Sequence, residues 1–371
     1  MLLFNKEENS LNPYFENIQK NFGFGFMRLP MIGEDVDIPQ TTQMVDTFLE
    51  NGFNYFDTAH GYINGKSELA LRECLTSRYP RERYILTDKL SGHCFEKEED
   101  IRPLFQAQLD ACGVEYFDFY LMHAQNRNNF QTFKQNHAYE ISLQLKGEGK
   151  IRHLGISFHD RSEILDQILT EYPQIEVVQI QFNYVDFEDE KVESWKCYEV
   201  CRKHGKPVIV MEPVKGGSLV NLPSSAQRIF DRLNSGSNAS YAIRFAAGFQ
   251  GMMMVLSGMS NMEQMNDNVR FMKEFQPLNT IEQEAIRKVC AIFRNQGLIS
   301  CTACRYCTEV CPQGIEIPDL FAALNAKRQD KTIPAVEGTS PTECIKCGKC
   351  EEICPQALNI RELLVVASEE L

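Results

Sequence analysis

Long apolar runs are absent from this sequence of 371 residues. No stretch approaches the roughly 20 apolar residues that a helix needs to cross a bilayer, so we expect no membrane segment. The opening MLLFNKEENS also lacks the basic start and the apolar core of a signal peptide, which indicates a cytoplasmic protein. Positive charge is scarce as well, because 38 Lys and Arg against 51 Asp and Glu give a formal net charge of −13. This balance disfavours nucleic acid and anionic membranes as partners.

Cysteine, in contrast, is abundant: the chain has 14, and eight of them lie after residue 300. The other six are scattered along the chain: Cys74, Cys94, Cys112, Cys197, Cys201 and Cys290. In a reducing compartment isolated cysteines are usually free, small core residues, and we predict that role for these six.

The eight late cysteines form two runs with one spacing, C-x2-C-x2-C-x3-C-P. Three close thiolates on a tight loop can hold three irons of a cubane, while the fourth cysteine binds the other cluster. This crossed arrangement predicts two 4Fe-4S clusters. The ligands of one are then Cys301, Cys304, Cys307 and Cys354, and those of the other are Cys344, Cys347, Cys350 and Cys311.

Zinc is the competing metal, because paired C-x-x-C knuckles commonly bind it. Four cysteines in each run, with Pro312 and Pro355 directly after the runs, argue against zinc. A disulfide scaffold is less compatible with a reducing compartment. A helical pattern follows each run, in IPDLFAALNAKR and in NIRELLVVASEEL. We therefore predict a small α-helical ferredoxin-like domain over residues 298–371.

The preceding part of the chain alternates β-rich runs with longer amphipathic stretches. The β-rich runs span residues 24–30, 53–59, 83–90, 117–123, 152–158, 176–183, 206–213 and 252–259. Eight such repeats predict a closed eight-fold β/α (TIM) barrel over residues 22–297, including trailing helices, after an N-terminal extension over residues 1–21. The rival is an open doubly wound sheet, but Gly23 and Gly25 lack the G-x-G-x-x-G spacing of its nucleotide-binding turn.

Polar residues stand where three successive predicted strands end, which is the functional face of such a barrel. Asp57 ends the second strand, Lys89 the third and His123 the fourth, and Tyr62 follows Asp57 in the next loop. Each has an ordinary explanation on its own, as a cap, a surface charge or a hydrogen-bonded interior histidine. Because all four lie at or just after neighbouring strand ends, we favour the interpretation that they act together in catalysis.

These segments resemble the aldo/keto reductases over about residues 22–275. The resemblance is carried by FDTAHGY, TDKL, LMHA, IRHLGISFHD, VVQIQFNY, VMEPVKGGSL and LSGMSNMEQMNDNV. Together with the cysteine tail, the chain resembles the branch of that family fused to a ferredoxin domain. The resemblance implies NAD(P)H-linked carbonyl reduction or alcohol oxidation of a small molecule. It also implies that Asp57, Tyr62, Lys89 and His123 are the catalytic tetrad.

The side chains themselves suggest a division of work. Tyr62 is the general acid in reduction and the base in the reverse direction. We expect the Lys89 ammonium to favour the phenolate and so to lower the pKa of Tyr62. Asp57 would hold Lys89 charged and in place, and His123 would orient the carbonyl oxygen.

The resemblance also implies nucleotide contacts. It places Ser157 and Gln179 at the carboxamide, Gly216, Gly217 and Ser218 at the pyrophosphate, and Ser257, Gly258, Ser260, Gln264 and Asn268 at the adenosine phosphate end. Two departures concern the cofactor. Met211 replaces a ring-stacking tyrosine, and Met259, Ser260 and Gln264 replace the basic residues that often grip the 2′-phosphate of NADPH. NAD and NADP therefore both remain open, and His159 is a further candidate for the pocket wall.

Hydride carries two electrons, whereas an iron–sulfur cluster passes one at a time. A converter such as flavin usually couples the two, and the sequence has no flavin signature. Three hypotheses follow: a reductase whose clusters exchange electrons with a redox partner protein or an unidentified group, an electron-transfer protein whose barrel binds nucleotide or flavin without carbonyl turnover, or a reductase with purely structural clusters. We favour the first. A short linker after residue 296 should hold the ferredoxin-like domain beside Tyr62 and His123.

Overall fold

Eight parallel strands close a barrel in the computed structural model, which describes residue 15 and residues 17–295, 297–329 and 331–371. The strands in chain order are β1 (Phe22–Gly25), β2 (Met31–Ile32), β3 (Asp35–Val36), β4 (Tyr55–Asp57), β5 (Ile85–Leu90), β6 (Phe117–Gln125), β7 (Ile151–Phe158), β8 (Val177–Gln181), β9 (Val208–Met211) and β10 (Met252–Gly258). The barrel order is β1-β10-β9-β8-β7-β6-β5-β4, while β2 and β3 form a separate antiparallel pair. The predicted barrel is confirmed.

The first barrel strand lies two residues earlier than the sequence pattern predicted. β1 ends at Gly25, and residues 26–28 form a 3₁₀ turn ahead of Pro30, which cannot donate to a ladder. In β1, Gly23 pairs with both Leu256 and Tyr55. A Cβ at Gly23 would lie 2.7 Å from the Leu256 side chain and 2.9 Å from that of Tyr55, so the closing seam of the barrel has no room for a larger residue.

In the described residues ahead of the cysteine-rich region, eleven α-helices surround or follow the barrel. They are α1 (Ile38–Glu50), α2 (Lys66–Leu71), α3 (Glu98–Cys112), α4 (Arg127–Gln135), α5 (Ala138–Gly147), α6 (Ser162–Glu171), α7 (Ser194–Lys203), α8 (Ser224–Asp231), α9 (Asn238–Ala247), α10 (Met262–Lys273) and α11 (Thr280–Asn295). They cover the buried apolar strands on the outside, as a parallel sheet requires. Side-chain caps begin several of them, including Asp37 at α1 and Asn261 at α10. Among the described residues, no helix is long and apolar enough to cross a membrane.

The segment before β1 packs under the barrel. Residues 1–14 of the predicted N-terminal extension lie outside the described residues. Phe15 and Ile18 are buried in a cluster with residues at the starts of several strands, among them Tyr55, Ile85 and Val177. This segment therefore helps to close the N-terminal end of the barrel, opposite the strand ends that carry the polar residues.

The cysteine-rich region folds as a small helical unit with its own apolar core. Its helices are α12 (Tyr306–Glu309), α13 (Ile317–Arg328), α14 (Lys349–Glu352) and α15 (Ile360–Glu370). Buried residues of α13 and α15, including Phe321, Leu324 and Leu364, pack together beneath the cysteines. The two cysteine loops make the same backbone turns, because Arg305 and Gly348 both have positive φ, of 66° and 83°, at matching positions. The predicted α-helical ferredoxin-like fold is confirmed.

This helical unit sits on the C-terminal ends of the barrel strands. Gln356, just after the last cysteine, donates from Nε2 to Oε1 of Gln181 at the end of β8, at 2.8 Å. Arg28, just after β1, donates from Nη2 to the carbonyl oxygen of Thr302 at 2.7 Å. The predicted placement beside Tyr62 and His123 is therefore confirmed.

Candidate active site

The C-terminal ends of the strands open into a cavity of about 950 Å³. All four predicted tetrad residues line it, and so do nine of the ten predicted nucleotide contacts, Ser218 being the exception. The ferredoxin-like domain supplies part of the wall: Thr302, Cys304, Tyr306, Pro355 and Gln356. The site is thus built by both domains.

A buried ion pair forms the base of the tetrad. The Lys89 ammonium donates to Oδ1 of Asp57 and to the carbonyl oxygen of Thr58, each at 2.6 Å. Lys89 is 1% exposed and Asp57 3% exposed, so the pair is shielded from water. Burial raises the pKa of the Asp57 carboxyl, and the neighbouring ammonium counteracts this. The second oxygen of Asp57 is buried without a hydrogen-bond partner among the described residues.

Tyr62 lies over this pair, with the Lys89 ammonium 5.0 Å from the centre of its ring. Burial raises the pKa of Tyr62 well above its ordinary value, and the Asp57 charge adds to the rise. Hydrogen bonding from Tyr306 acts in the opposite direction. Our expectation of a lowered pKa was wrong, because burial and the nearby acidic groups raise the pKa of this phenol. The phenol therefore stays protonated at neutral pH, as a proton donor must.

His123, near the end of β6, completes the group. Its ring meets that of Tyr62 edge-on, with centroids 5.8 Å apart. Burial holds the pKa of His123 well below its ordinary value, so the imidazole is neutral. Its Nδ1 lies 2.7 Å from Oγ of Ser91, which leaves Nε2 for a bound molecule. Sequence reasoning missed Ser91, although its place directly after β5 is the same strand-end signal that identified the tetrad.

Unsatisfied polar atoms mark the next part of the cavity. Oε1 of Gln179 and Nδ1 of His159 are buried without hydrogen-bond partners among the described residues, and both residues line the cavity. Burial lowers the pKa of His159 to about 4, so this ring is also neutral. Oγ of Ser157 accepts from the backbone N–H of Ala124 at 2.7 Å. An amide ligand would satisfy Gln179, as the predicted carboxamide contact requires.

The far end of the cavity carries charges that sequence reasoning missed. Arg28 and Arg270 line it, together with the carboxylates Glu263 and Asp267. Arg270 is already paired with Asp267, at 2.6 Å. In the same region Gln264 accepts from the backbone N–H of Ser260 at 2.8 Å. Arg270 lies in the last turn of α10, beyond the segment from Met259 to Gln264 in which the resemblance places the phosphate contacts.

The cysteines of the tail separate into two groups, each lining a small cavity of its own. Cys301, Cys304, Cys307 and Cys354 line the first, which we name the inner set. Cys311, Cys344, Cys347 and Cys350 line the second, the outer set. The fourth cysteine of each run crosses to the other group, as the spacing predicted. Backbone N–H groups point at sulfur, as from Ala303 to Cys301 at 3.4 Å, which suits thiolate ligands.

Comparison with known proteins agrees with both halves of this description. Residues 21–291 match the Aldo/keto reductase family and residues 300–358 match a 4Fe-4S dicluster domain. The chain is 29% identical over 195 residues to the NADH-specific methylglyoxal reductase of Escherichia coli (strain K12), covering 47% of this chain and 57% of that protein. It is 27% identical over 192 residues to the uncharacterized oxidoreductase YqkF of Bacillus subtilis (strain 168), covering 48% of this chain and 58% of that protein.

Solved structures share the barrel. An aldo-keto reductase from Klebsiella pneumoniae in complex with NADPH superposes with a TM-score of 0.57 at 16% identity, covering 72% of this chain and 90% of that one. An aldo-keto reductase from Bacillus halodurans gives 0.57 at 24% identity, covering 72% and 91%. At these identities the likeness concerns the fold. With the family match over residues 21–291, the chain belongs to the aldo/keto reductase family of oxidoreductases, in a branch that carries a C-terminal 4Fe-4S dicluster domain.

Proposed function

We propose that this protein reduces the carbonyl group of a small molecule with NAD(P)H, or oxidises the alcohol in reverse, and that its two clusters exchange electrons with a partner protein. One observation carries the proposal: Tyr62 and His123 face each other in a cavity above the buried Asp57–Lys89 pair. A proton donor, a cation and a neutral imidazole at one place are the groups that carbonyl reduction needs.

When bound, the reduced nicotinamide supplies hydride to the carbonyl carbon. Tyr62 gives its phenolic proton to the carbonyl oxygen, so that hydride and proton together turn the carbonyl into an alcohol. The Lys89 ammonium, held by Asp57, stabilises the negative charge left on the Tyr62 oxygen. The free Nε2 of His123 holds the carbonyl oxygen in line.

The nucleotide would lie along the cavity wall, with its carboxamide at Gln179 and Ser157. At the far end, Glu263 and Asp267 would repel a 2′-phosphate, and Arg270 is engaged by Asp267. We propose NADH as the preferred nucleotide on this ground. The Escherichia coli relative is named for NADH and for methylglyoxal, and a small aldehyde of that kind is the substrate class we propose.

The cysteine sets suit 4Fe-4S clusters, because each presents four sulfurs to one cavity. Bound clusters supply one-electron transfer. The inner set reaches the active-site cavity through Cys304, and the outer set reaches the surface through the exposed Cys347. This arrangement favours a route for electrons over mere bracing. We propose domain limits of 22–297 for the barrel, which would bind nucleotide and substrate, and 298–371 for the ferredoxin-like domain, which would carry the clusters.

The test is anaerobic NADH oxidation with a panel of small aldehydes, comparing the wild type with Tyr62→Phe. We expect the variant to lose turnover by about 10²–10⁴-fold, because the proton donor is gone. Nucleotide affinity, measured by fluorescence titration, should change little. Turnover retained in Tyr62→Phe, or the absence of turnover with every aldehyde despite nucleotide binding and full cluster content, would overturn the proposal.

A further inference from the structure

A second buried ion pair lies where the barrel meets the ferredoxin-like domain. The Lys215 ammonium donates to Oδ1 of Asp186 at 2.5 Å, and the two residues are 3% and 2% exposed. Neither residue lines the active-site cavity, so the pair is separate from the acid–base group. Lys215 also has a φ of 48°, in the left-handed region that a lysine rarely adopts. Strained residues cluster at functional sites, which makes this pair a candidate for a role of its own.

The ferredoxin-like domain completes the surroundings of this pair through Gln356. Oε1 of Gln356 accepts from the Lys215 ammonium at 3.2 Å, and Nε2 of Gln356 donates to Oε1 of Gln181 at 2.8 Å. Nε2 of Gln181 in turn donates to Oδ2 of Asp186 at 2.6 Å. Because an ammonium only donates and a carboxylate only accepts, this chain of hydrogen bonds fixes the orientation of both amides.

Two contacts place the loop at Lys215 beside the inner set. Gln356 and Thr302 both line the small cavity that the four cysteines of the inner set enclose. Lys215 bonds Gln356, and a Cβ on the next residue, Gly216, would lie 2.2 Å from the carbonyl oxygen of Thr302. The loop at Lys215 therefore packs against both segments that carry the inner set. Neither Gln356 nor Thr302 lines the cavity of the outer set.

The ion pair presents its positive end to the inner set. The Lys215 ammonium bonds Gln356 directly, whereas Oδ2 of Asp186 accepts from Gln181 and from Nδ2 of Asn183, at 2.6 and 2.7 Å, and both donors belong to the barrel. A nearby cation stabilises the reduced form of an iron–sulfur cluster, because reduction adds one negative charge. The low exposure of the pair limits screening by water and salt, so the effect of the charge should be measurable.

We propose that the buried ammonium of Lys215 raises the reduction potential of the 4Fe-4S cluster that the inner set holds, and that Asp186 positions this ammonium; this rests on the proposed function, in which the inner set binds the cluster. The step concerned is a one-electron reduction of the cluster by the partner protein, in which no bond of the chain forms or breaks. Removing the ammonium removes a stabilising charge from the reduced form, so reduction becomes harder. The cluster of the outer set keeps its potential.

The test is an anaerobic potentiometric titration of the full chain with dithionite, followed by electron paramagnetic resonance. Cys347→Ser identifies the signal of the outer cluster. In Lys215→Met we expect the equilibrium constant for reducing the inner cluster to fall about 3- to 10-fold, the scale of one unit charge near a buried site. The midpoint potential then falls by about 30–60 mV, since a tenfold change is 59 mV for one electron. The midpoint of the outer cluster should stay unchanged.

Asp186→Asn is the second variant, and it also provides the test if Lys215→Met fails to assemble its clusters. It removes the negative charge and keeps the shape of the side chain, so the inner midpoint should rise. In the double variant Lys215→Met/Asp186→Asn both charges are gone, and the midpoint should return toward that of the wild type. A merely structural role would not give opposite shifts. A fall in both single variants, or no shift in either, would overturn the proposal.

Lys203→Met is the matched control, because Lys203 pairs with Asp166 at 2.7 Å on the exposed surface. Both midpoints should stay unchanged in this variant. Equal shifts of the two clusters in Lys215→Met would overturn the proposal, since the effect would then not be specific to the inner set.

The proposed function can fail separately. If Tyr62→Phe keeps full turnover while the midpoints shift as expected, the proposed reduction is refuted and the role of Lys215 stands. If turnover depends on Tyr62 but the inner midpoint is the same in wild type, Lys215→Met and Asp186→Asn, the role of Lys215 is refuted and the proposed reduction stands. Wild-type protein without iron and sulfide after anaerobic reconstitution would overturn the cluster assignment and this proposal together.

Discussion

The inner and outer cysteine sets share one spacing and the same backbone turns, yet their surroundings differ. The inner set borders the active-site cavity, where Cys304 and Tyr306 line the wall and Gln356 bonds the barrel. The outer set faces away, with Cys347 exposed and Ile345 59% exposed. The same cysteine motif therefore occurs in two different environments, and we expect its role to depend on the residues that surround it. Under the proposed function, the inner set belongs to the active site and the outer set exchanges electrons with a partner protein.

The largest expected contrast comes from removing one predicted cluster ligand in each set. Cys304→Ser should lower aldehyde reduction by about 10²-fold, because a small misplacement of the loop that bears Tyr306 is costly in an oriented site. Cys347→Ser should have a much smaller effect on reduction by NADH, because the outer loop does not line the cavity. Steady-state kinetics of both anaerobically purified variants, with their iron content, measures the contrast. If aldehyde reduction fell equally in Cys304→Ser and Cys347→Ser, the inner set would be no closer in function to the active site than the outer set.

A smaller effect is expected where the barrel meets the inner loop. Gly216→Ala places a Cβ 2.2 Å from the Thr302 oxygen, at a φ of 59°. Gly149→Ala is its control, because Gly149 has a φ of 76° but no atom within 4 Å of the added Cβ. The positive φ destabilises both variants. The steric overlap should lower the free energy of unfolding of Gly216→Ala by about 1–3 kcal/mol more than that of Gly149→Ala. Urea unfolding of both variants, followed by cluster absorbance, measures this difference. Similar midpoints would mean that the loop containing Thr302 moves aside without loss of stability.

The smallest effect concerns the part of the cavity that Asp267 and Arg270 of α10 line. Asp267→Asn should free Arg270 and remove a carboxylate that lines the cavity. NADPH should then bind about 2- to 5-fold more tightly, the scale of an exposed charge pair, while NADH affinity stays the same. Fluorescence titration with both nucleotides decides this. Equal changes for the two nucleotides would place the 2′-phosphate elsewhere.

Local pattern predicted the parts of this molecule that depend on neighbours in sequence. Asp57, Lys89 and His123 follow from strand ends, and the crossed grouping of the cysteines follows from spacing alone. What sequence missed depends on three-dimensional packing. In the sequence Tyr306 is an ordinary residue between two cysteines, and only the packing of the ferredoxin-like domain on the barrel places it in the cavity wall. The raised pKa of Tyr62 depends on its burial in the folded protein, which no sequence motif predicts.

If the inner set belongs to the active site and the outer set does not, only the inner cluster should respond to ligands bound in the cavity. The direct measurement is electron paramagnetic resonance of the dithionite-reduced protein, with and without saturating NADH and a non-reacting carboxylic acid analogue of the aldehyde. Cys347→Ser identifies the signal of the outer cluster. We predict that ligand binding shifts the signal of the inner cluster and leaves that of the outer cluster unchanged. Two unchanged signals at proven saturation, or a shift confined to the outer cluster, would show that the inner set does not belong to the active site.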